Sequence, residues 1–385
     1  MLYHLIEWLK GLGVDFPGMG LMNYLSFRAM LAAVISMVIA FASGGKIIRW
    51  LRKHQIGETI RDLGLEGQMQ KKGTPTMGGV IIIVALLGSA LLVCRLDSIY
   101  TILLLITTVW CGGIGFLDDY IKVFKHNKDG LSEKGKLVLQ FALGLIVALT
   151  VCISPEIQTD RLITTIPFVK AHEFDYSWLS PFKGQLGVYC SWGIYMIMII
   201  LVVLACSNGA NLTDGMDGLA SGTSAIVGVT IGVMAWLSGD VIDANYLNIM
   251  YIPGSGEVAI FMAAFVGALI GFLWYNTFPA QVFMGDSGSL TIGGIIGVSA
   301  VLIRKELILP LVCGIFLAES LSVIVQRTHF KYTKRKYGEG RRVFLMAPLH
   351  HHYQKKGIPE PRIVTRFWII GIILAVSTLA VLKIR

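Results

Sequence analysis

Ten stretches of this chain carry the apolar character of membrane crossings, and that leaves few folds open. They fall near 21–45, 77–94, 99–117, 137–153, 188–206, 218–237, 258–275, 289–303, 307–326 and 365–382. A bilayer's hydrocarbon core takes a helix of about 20 residues. No water is available there, so each backbone N–H and C=O must be satisfied within the segment, which makes such runs helices. The eighth stretch, "LTIGGIIGVSAVLI", is short and glycine-rich, and only "RKE" at 304–306 divides it from the ninth. Only 15% of the residues are charged, against about 25% in soluble proteins. The expectation is an all-α integral membrane protein of about ten transmembrane helices, one helical domain over 1–385.

Lysine and arginine set the orientation. Far more of them lie in the odd-numbered connections than in the even-numbered connections and the two ends. That bias places both termini outside and the odd loops in the cytoplasm. The net charge of +9 is thereby mostly a topology signal and calls for no nucleic acid. The N-terminus lacks a basic segment followed by a short apolar run and a cleavage site, so the first span is expected to serve as its own insertion signal. The six cysteines lie in or beside apolar runs without a CxxC pairing and read as packing residues. The segment 154–187 is the one sizeable outside loop, and its Thr, Ile, Val and aromatic residues point to a short hairpin.

The polar clusters share one face. "KKGTPTMGG" (71–79), "FLDDYIKVFKHNKDGLSEKGK" (116–136), "NLTDGMDGL" (211–219), "NTFPAQVFMGDSGSL" (276–290) and "APLHHHYQKKG" (347–357) all lie in odd loops. Carboxylates at the membrane edge are costly and tend to be functional. Asp118 and Asp119 are adjacent, Asp214 and Asp217 would share a face if helical, and Asp286 sits between glycines that permit close backbone approach. Several carboxylates on one face suit Mg²⁺, which binds one or two of them together with substrate phosphates. Lys71 and Lys72 beside glycines and Thr76 suit a phosphate oxygen. Asn211 and Asn276 suit a base or sugar, and Phe283 a stacked ring. Together these point to phosphoryl transfer. GxxxxGK[ST] is absent, which excludes an ordinary P-loop nucleotidase.

Each motif also has a plain structural reading. Paired Asp at a span end can be interfacial, "TDGMDG" can be a turn, and "TPTMGG" can be a loop entering a helix. Three consecutive histidines, His350 to His352, cannot all face one ion on regular structure. Phosphate contact or helix-end structure suits them better than a metal. Arg28, alone within the first span, is expected to pair or to reach the interface.

In this order the five motifs resemble the phospho-N-acetylmuramoyl-pentapeptide transferase family, a branch of the polyprenyl-phosphate N-acetylhexosamine-1-phosphate transferases. The resemblance runs from about Arg49 to the C-terminus, and "APLHHHY" is what points to the muramoyl branch. It implies a Mg²⁺-dependent enzyme of the bacterial cytoplasmic (inner) membrane, a homodimer of ten-span chains with both termini outside. Phospho-MurNAc-pentapeptide would pass from UDP-MurNAc-pentapeptide to undecaprenyl phosphate, giving lipid I and UMP in peptidoglycan synthesis. By motif, Lys71 would touch phosphate, with Lys72 beside it. Asp118 would act as base on the lipid phosphate, and Asp286 with Asp119 would hold the metal. Asn211, Asp214, Asp217, Asn276 and Phe283 would form the nucleotide site, and His350, His351 and His352 the histidine motif.

This chain departs from the pattern at Gln354, where Glu is usual, at Met216, where Leu is usual, and in the length of 154–187. The main rival is a sister transferase using UDP-GlcNAc, which shares the acidic motifs and differs near the histidines. An intramembrane prenyltransferase would want DxxxD motifs, and an ion-coupled transporter would want internal repeats and acids at the midplane.

Overall fold

A computed structural model describes residues 1–14, 17–54, 73–125, 130–157, 162–167 and 173–382. Lys71 and Lys72 lie outside these residues. Each apolar stretch read from the sequence falls on a helix except 307–326, which divides between two segments that meet at a sharp bend. After a short amphipathic helix α1 (Leu2–Gly11) come α2 (Leu25–Lys53), α3 (Gly79–Val93), α4 (Ile99–Phe124) and α5 (Glu133–Ile153). Strands β1 (Ile163–Thr165) and β2 (Glu173–Asp175) precede α6 (Gly184–Thr213), α7 (Leu219–Gly239), the short α8 (Val241–Leu247), α9 (Ser255–Asn276) and α10 (Gly285–Leu302). The chain closes with α11 (Leu309–Val312), α12 (Gly314–Tyr337), α13 (Leu349–Lys355) and α14 (Glu360–Val381).

Among the described residues, eight helices are long and apolar enough to cross a membrane: α2, α4, α5, α6, α7, α9, α10 and α14. The segments Glu306–Val312 and Gly314–Tyr337 meet at a bend of 81°, and count as a ninth if they form one broken span. Helix α3 is apolar but only 15 residues long, roughly 22 Å at 1.5 Å per residue, less than the hydrocarbon thickness.

The stretch that reads weakest in the sequence lies at the centre of the bundle. Every residue of α10 from Ser287 to Leu302 is buried, packed mainly on α4 and α6. Its glycines make this possible: a Cβ at Gly293 would collide with the α6 backbone at Cys206 and Ser207. Small residues let membrane helices approach backbone to backbone. Low hydropathy here reflects contact with protein rather than lipid. Helix α2 is the opposite case. It buries Arg28, Ala32, Ser36, Ala40, Gly44 and Ile48, one stripe at a spacing of four, and leaves Met30, Val34 and Val38 exposed.

The end of the bundle where α10 finishes buries charge. Arg304 and Lys305 are each only 1% exposed and Glu306 only 2%. The reason is the antiparallel β1–β2 pair, in register Ile163↔Asp175, which covers them. Thr165 N–H donates to the Arg304 carbonyl at 3.0 Å, Lys305 Nζ donates to Thr165 Oγ1 at 2.6 Å, and the Tyr176 hydroxyl donates to Glu306 at 3.1 Å. Arg304 also hydrogen-bonds the Tyr195 hydroxyl. Burial pulls the Lys305 ammonium down to about 8, with Glu306 opposing. At the same end Arg28 is paired. Its guanidinium meets the buried Glu257 carboxylate at 2.6 and 2.8 Å and donates to the Val93 carbonyl at 3.0 Å. All six cysteines are free thiols.

Candidate active site

Three carboxylates converge at the opposite end. Asp118 and Asp119 lie near the end of α4 and Asp286 in the first turn of α10, and one oxygen of each lies within 4.8 Å of the others. Close backbone contact brings the helices together. Gly115, one turn before Asp118, abuts the Asp286 carbonyl so tightly that any Cβ would collide with it. The stretch before α3 locks the same corner. Phe283 N–H donates to the Pro75 carbonyl, Gly78 N–H to that of Phe283 and Gly79 N–H to that of Met284, each at 2.8 Å. Thr76 is buried there, next to Gly285 and the Asp119 carboxylate.

Each acid is held differently. Asp119 caps α10: its Oδ1 accepts from Asp286 N–H at 3.1 Å and its Oδ2 from Ser287 N–H at 3.0 Å, a favourable place for an anion at a helix N-terminus. Asp118 Oδ1 accepts from Leu131 N–H at 2.7 Å and lies 2.9 Å from Lys136 Nζ. Asp118 Oδ2 lies 2.6 Å from Lys122 Nζ. Asp286 Oδ2 lies 2.6 Å from Lys136 Nζ and 3.3 Å from Lys122 Nζ. Asn211 Nδ2 donates to Asp286 Oδ1 at 2.9 Å and to Ser289 Oγ at 2.9 Å.

Three buried or half-buried carboxylates this close repel one another unless cations compensate, and Lys122 and Lys136 are the protein's own counter-charges. The donor set fits a divalent ion: all ligands are hard oxygens. Lys122 Nζ, 2.6 Å from Asp118 Oδ2, and Lys136 Nζ, 2.6 Å from Asp286 Oδ2, stand where a cation's charge would fall.

Residues 101–304 match the model of glycosyl transferase family 4, and residues 71–83 match phospho-N-acetylmuramoyl-pentapeptide-transferase signature 1. A phospho-N-acetylmuramoyl-pentapeptide-transferase of Parabacteroides distasonis is 53% identical over the whole of both chains. That of Flavobacterium psychrophilum is also 53% identical, and one from Porphyromonas gingivalis is 49% identical, both again over the full lengths. The chain belongs to the phospho-N-acetylmuramoyl-pentapeptide transferase family.

In this transferase-family chain the remaining motif residues gather about the α6–α7 turn. Asp214 and Asp217 do not share a helical face, contrary to expectation. Asp214 is the C-cap of α6, and α7 starts only at Leu219 after a turn through Gly218, whose φ is +80°. The glycines at 215 and 218 end one helix before the next begins. Asp217 Oδ2 accepts from Ala280 N–H at 3.0 Å, and its own N–H donates to Glu360 at 2.7 Å. Asn276 accepts at Oδ1 from Gly218 N–H at 3.0 Å and from Ser221 Oγ at 3.1 Å, and donates to the Val282 carbonyl at 3.0 Å. It ties the α6–α7 turn to the loop carrying Phe283, which is half-buried.

The three histidines point three ways. His350 is buried, and its Nδ1 lies 3.1 Å from the buried Glu319 carboxylate. Its Nε2 is buried without a hydrogen-bond partner, and its ring packs so closely on Gly215 that a Cβ there would collide. His351 Nδ1 lies 3.2 Å from Gln354 Oε1, so the residue that departs from the family pattern contacts the histidine motif. His352 Nδ1 accepts from Leu345 N–H at 3.1 Å; burial lowers its pKa, and Lys356 adds to this. No histidine joins the metal-ligand group found among the described residues. Met216 is buried beside Leu219, Ile363 and Phe367.

Sequence reasoning passed over Lys122, Lys136, Glu319 and Glu360. Lys122 was legible, four residues after Asp118 on one helix. Glu319 carried the signal of an acid inside an apolar run. Lys136 and Glu360 meet their partners only through the fold.

Proposed function

We propose that this chain transfers phospho-MurNAc-pentapeptide from UDP-MurNAc-pentapeptide to undecaprenyl phosphate, giving lipid I and UMP at the cytoplasmic face of the bacterial inner membrane. In this reading it is a Mg²⁺-dependent homodimer whose ten-span chains have both termini outside. The observation that carries the reading is the convergence of Asp118, Asp119 and Asp286, with oxygens within 4.8 Å, beside two lysines at one end of a membrane bundle.

Asp286, Asp119 and Asp118 are the residues that would hold Mg²⁺. Bound there, the ion supplies Lewis-acid neutralisation of the diphosphate and of the UMP leaving group. Asn211 orients Asp286 through its 2.9 Å hydrogen bond. Asp119, already accepting two backbone N–H bonds, fixes the start of α10. Asp118 orients the lipid phosphate and takes its proton when one is present. Lys122 and Lys136 present positive charge where phosphate oxygens collect, and Lys71 with Lys72 would contact substrate phosphate, as their motif implies. Phe283 stacks on the uracil, while Asn276, Asp214 and Asp217 shape the nucleotide wall. His350, His351 and His352 border that wall from α13.

The lipid phosphate attacks the β-phosphorus directly, and UMP leaves in the same step. A phosphorylated protein trapped with labelled donor in the absence of lipid phosphate would contradict direct attack and support a two-step route.

The test is UMP release by purified protein in detergent with Mg²⁺ and undecaprenyl phosphate, offering UDP-MurNAc-pentapeptide and UDP-GlcNAc side by side. Release with the muramoyl donor alone is expected. Release with UDP-GlcNAc alone would move the protein to the sister branch.

A further inference from the structure

The acid cluster stands on a second polar layer, one helical turn deeper in the bundle. At the cluster, Lys136 of α5 and Asn211 of α6 both meet Asp286 of α10. Gln140, Ser207 and Leu290 lie four residues from these on the same three helices, which is close to one turn. They meet as well. Gln140 Nε2 donates to Ser207 Oγ at 3.1 Å, and Ser207 Oγ donates to the Leu290 carbonyl at 3.2 Å. Asn208 Nδ2 donates to Gln140 Oε1 at 2.9 Å. The same three helices are therefore joined twice.

Gln140 and Ser207 are both 0% exposed. A primary amide inside a membrane bundle is costly unless its polar atoms are bonded, and hydrogen bonds between side chains help to hold membrane helices together. Here both ends of the amide are used. Helix α5 packs chiefly on α6, and α6 in turn on α10, so the placement of α5 relative to α10 passes through α6. Leu131 and Trp110 tie α5 to α4 instead.

Lys136 depends on that placement. Its ammonium sits on a flexible four-carbon stem, yet lies 2.6 Å from Asp286 and 2.9 Å from Asp118. The stem meets both acids only while the first turn of α5 keeps its depth and rotation. The Gln140–Ser207 bond sets both, because the serine is itself bonded to the α10 backbone four residues after Asp286.

We propose that Gln140 is a positioning residue for the transfer: through Ser207 it fixes the turn of α5 that carries Lys136 against the turn of α10 that carries Asp286. The proposal rests on the function given above and deepens it by assigning a role in the layer beneath the acids.

Gln140→Met tests it, since methionine has a similar length and no amide. Thr107→Val is the control for losing a buried hydrogen bond that joins no helices, because the Thr107 hydroxyl donates within α4 to the Leu103 carbonyl at 2.7 Å. UMP release, thermal stability in detergent and amide hydrogen exchange would be measured for each. Gln140→Met should lower kcat about tenfold, part of the about 10²-fold that a misplacement of 1 Å can cost. KM for both substrates should change less than about threefold, and exchange at the start of α5 should quicken. Added to Lys136→Met, whose residual turnover is followed with labelled donor, Gln140→Met should lower kcat no more than about twofold further, because it acts through the lysine. Thr107→Val should leave kcat and that exchange unchanged. Where Gln140→Met does not fold, Ser207→Ala breaks the same chain of bonds with a smaller change and takes the same tests.

An unchanged kcat in folded Gln140→Met, an undiminished loss on top of Lys136→Met, or unchanged exchange at the start of α5 would overturn the proposal. So would a rise in both KM values without a fall in kcat, or an equal kcat loss in Thr107→Val. Absence of UMP release from the unsubstituted protein would instead count against the function itself.

Discussion

Lys136, in the first turn of α5, reaches across to Asp286 in the first turn of α10, with 2.6 Å between Nζ and Oδ2. The same ammonium lies 2.9 Å from Asp118 on α4. One lysine therefore joins three helices at the acid cluster. Charge-assisted contacts of this kind are worth more than neutral hydrogen bonds, and losing the cation leaves carboxylates at close range with less compensation. Lys136→Met should lower kcat by about 10²-fold or more, the scale of a lost electrostatic contact at a reacting phosphate. Lys136→Arg should recover only part of it, because a planar fork does not replace a point charge. Turnover within twofold of the unsubstituted protein in Lys136→Met would remove the lysine from the account.

His350 and Glu319 form the second buried pair, 3.1 Å apart and both at most 1% exposed. Glu319 also accepts from the His350 backbone N–H at 3.2 Å. Glu319 is here a positioning residue, setting the imidazole against the turn at Gly215. Glu319→Ala should raise KM for the UDP donor more than it lowers kcat, and Glu319→Gln should restore much of the difference. Equal loss in both variants, with normal folding, would contradict positioning.

Arg28 and Glu257 test the fold rather than the chemistry. The pair is buried, with 6% and 8% of the side chains exposed. Breaking a buried pair by removing one partner costs about 3–5 kcal/mol, since the other charge is left alone. Glu257→Leu should lower the thermal midpoint in detergent markedly. Replacing both residues by apolar side chains should destabilise less than Glu257→Leu alone. A double variant less stable than the single one would refute that accounting.

Much of this was open to sequence reasoning. The spans followed from backbone chemistry in hydrocarbon, and Asp118, Asp119 and Asp286 followed from acids placed at span ends. Helix α10 was undervalued because its glycines lower hydropathy while enabling backbone-close packing on its neighbours. The burial of Arg304 and Lys305 was not legible, because the hairpin that covers them lies more than a hundred residues earlier and leaves no local trace. Asp214 and Asp217 were given a shared face because spacing alone does not show that Gly218 adopts a left-handed turn.

Lys305 makes that buried end sensitive to pH. Its ammonium titrates at about 8 when folded, against 10.5 for an ordinary lysine. Between these values the unfolded chain binds more protons, so stability from this group rises with pH and is lost as pH falls through 8. The thermal midpoint of the unsubstituted protein should rise relative to Lys305→Met between pH 8 and 10.5. A difference that stays constant with pH would contradict a depressed Lys305.

The central claim is that Asp286, with Asp118 and Asp119, forms the metal site at which the phosphosugar is transferred. The most direct measurement is UMP release from UDP-MurNAc-pentapeptide across a Mg²⁺ titration, in the presence and absence of undecaprenyl phosphate, for the unsubstituted protein and Asp286→Asn. Release should require both Mg²⁺ and the lipid phosphate, and Asp286→Asn should need far more Mg²⁺ or lose turnover altogether. An unchanged Mg²⁺ dependence in folded Asp286→Asn would contradict the account.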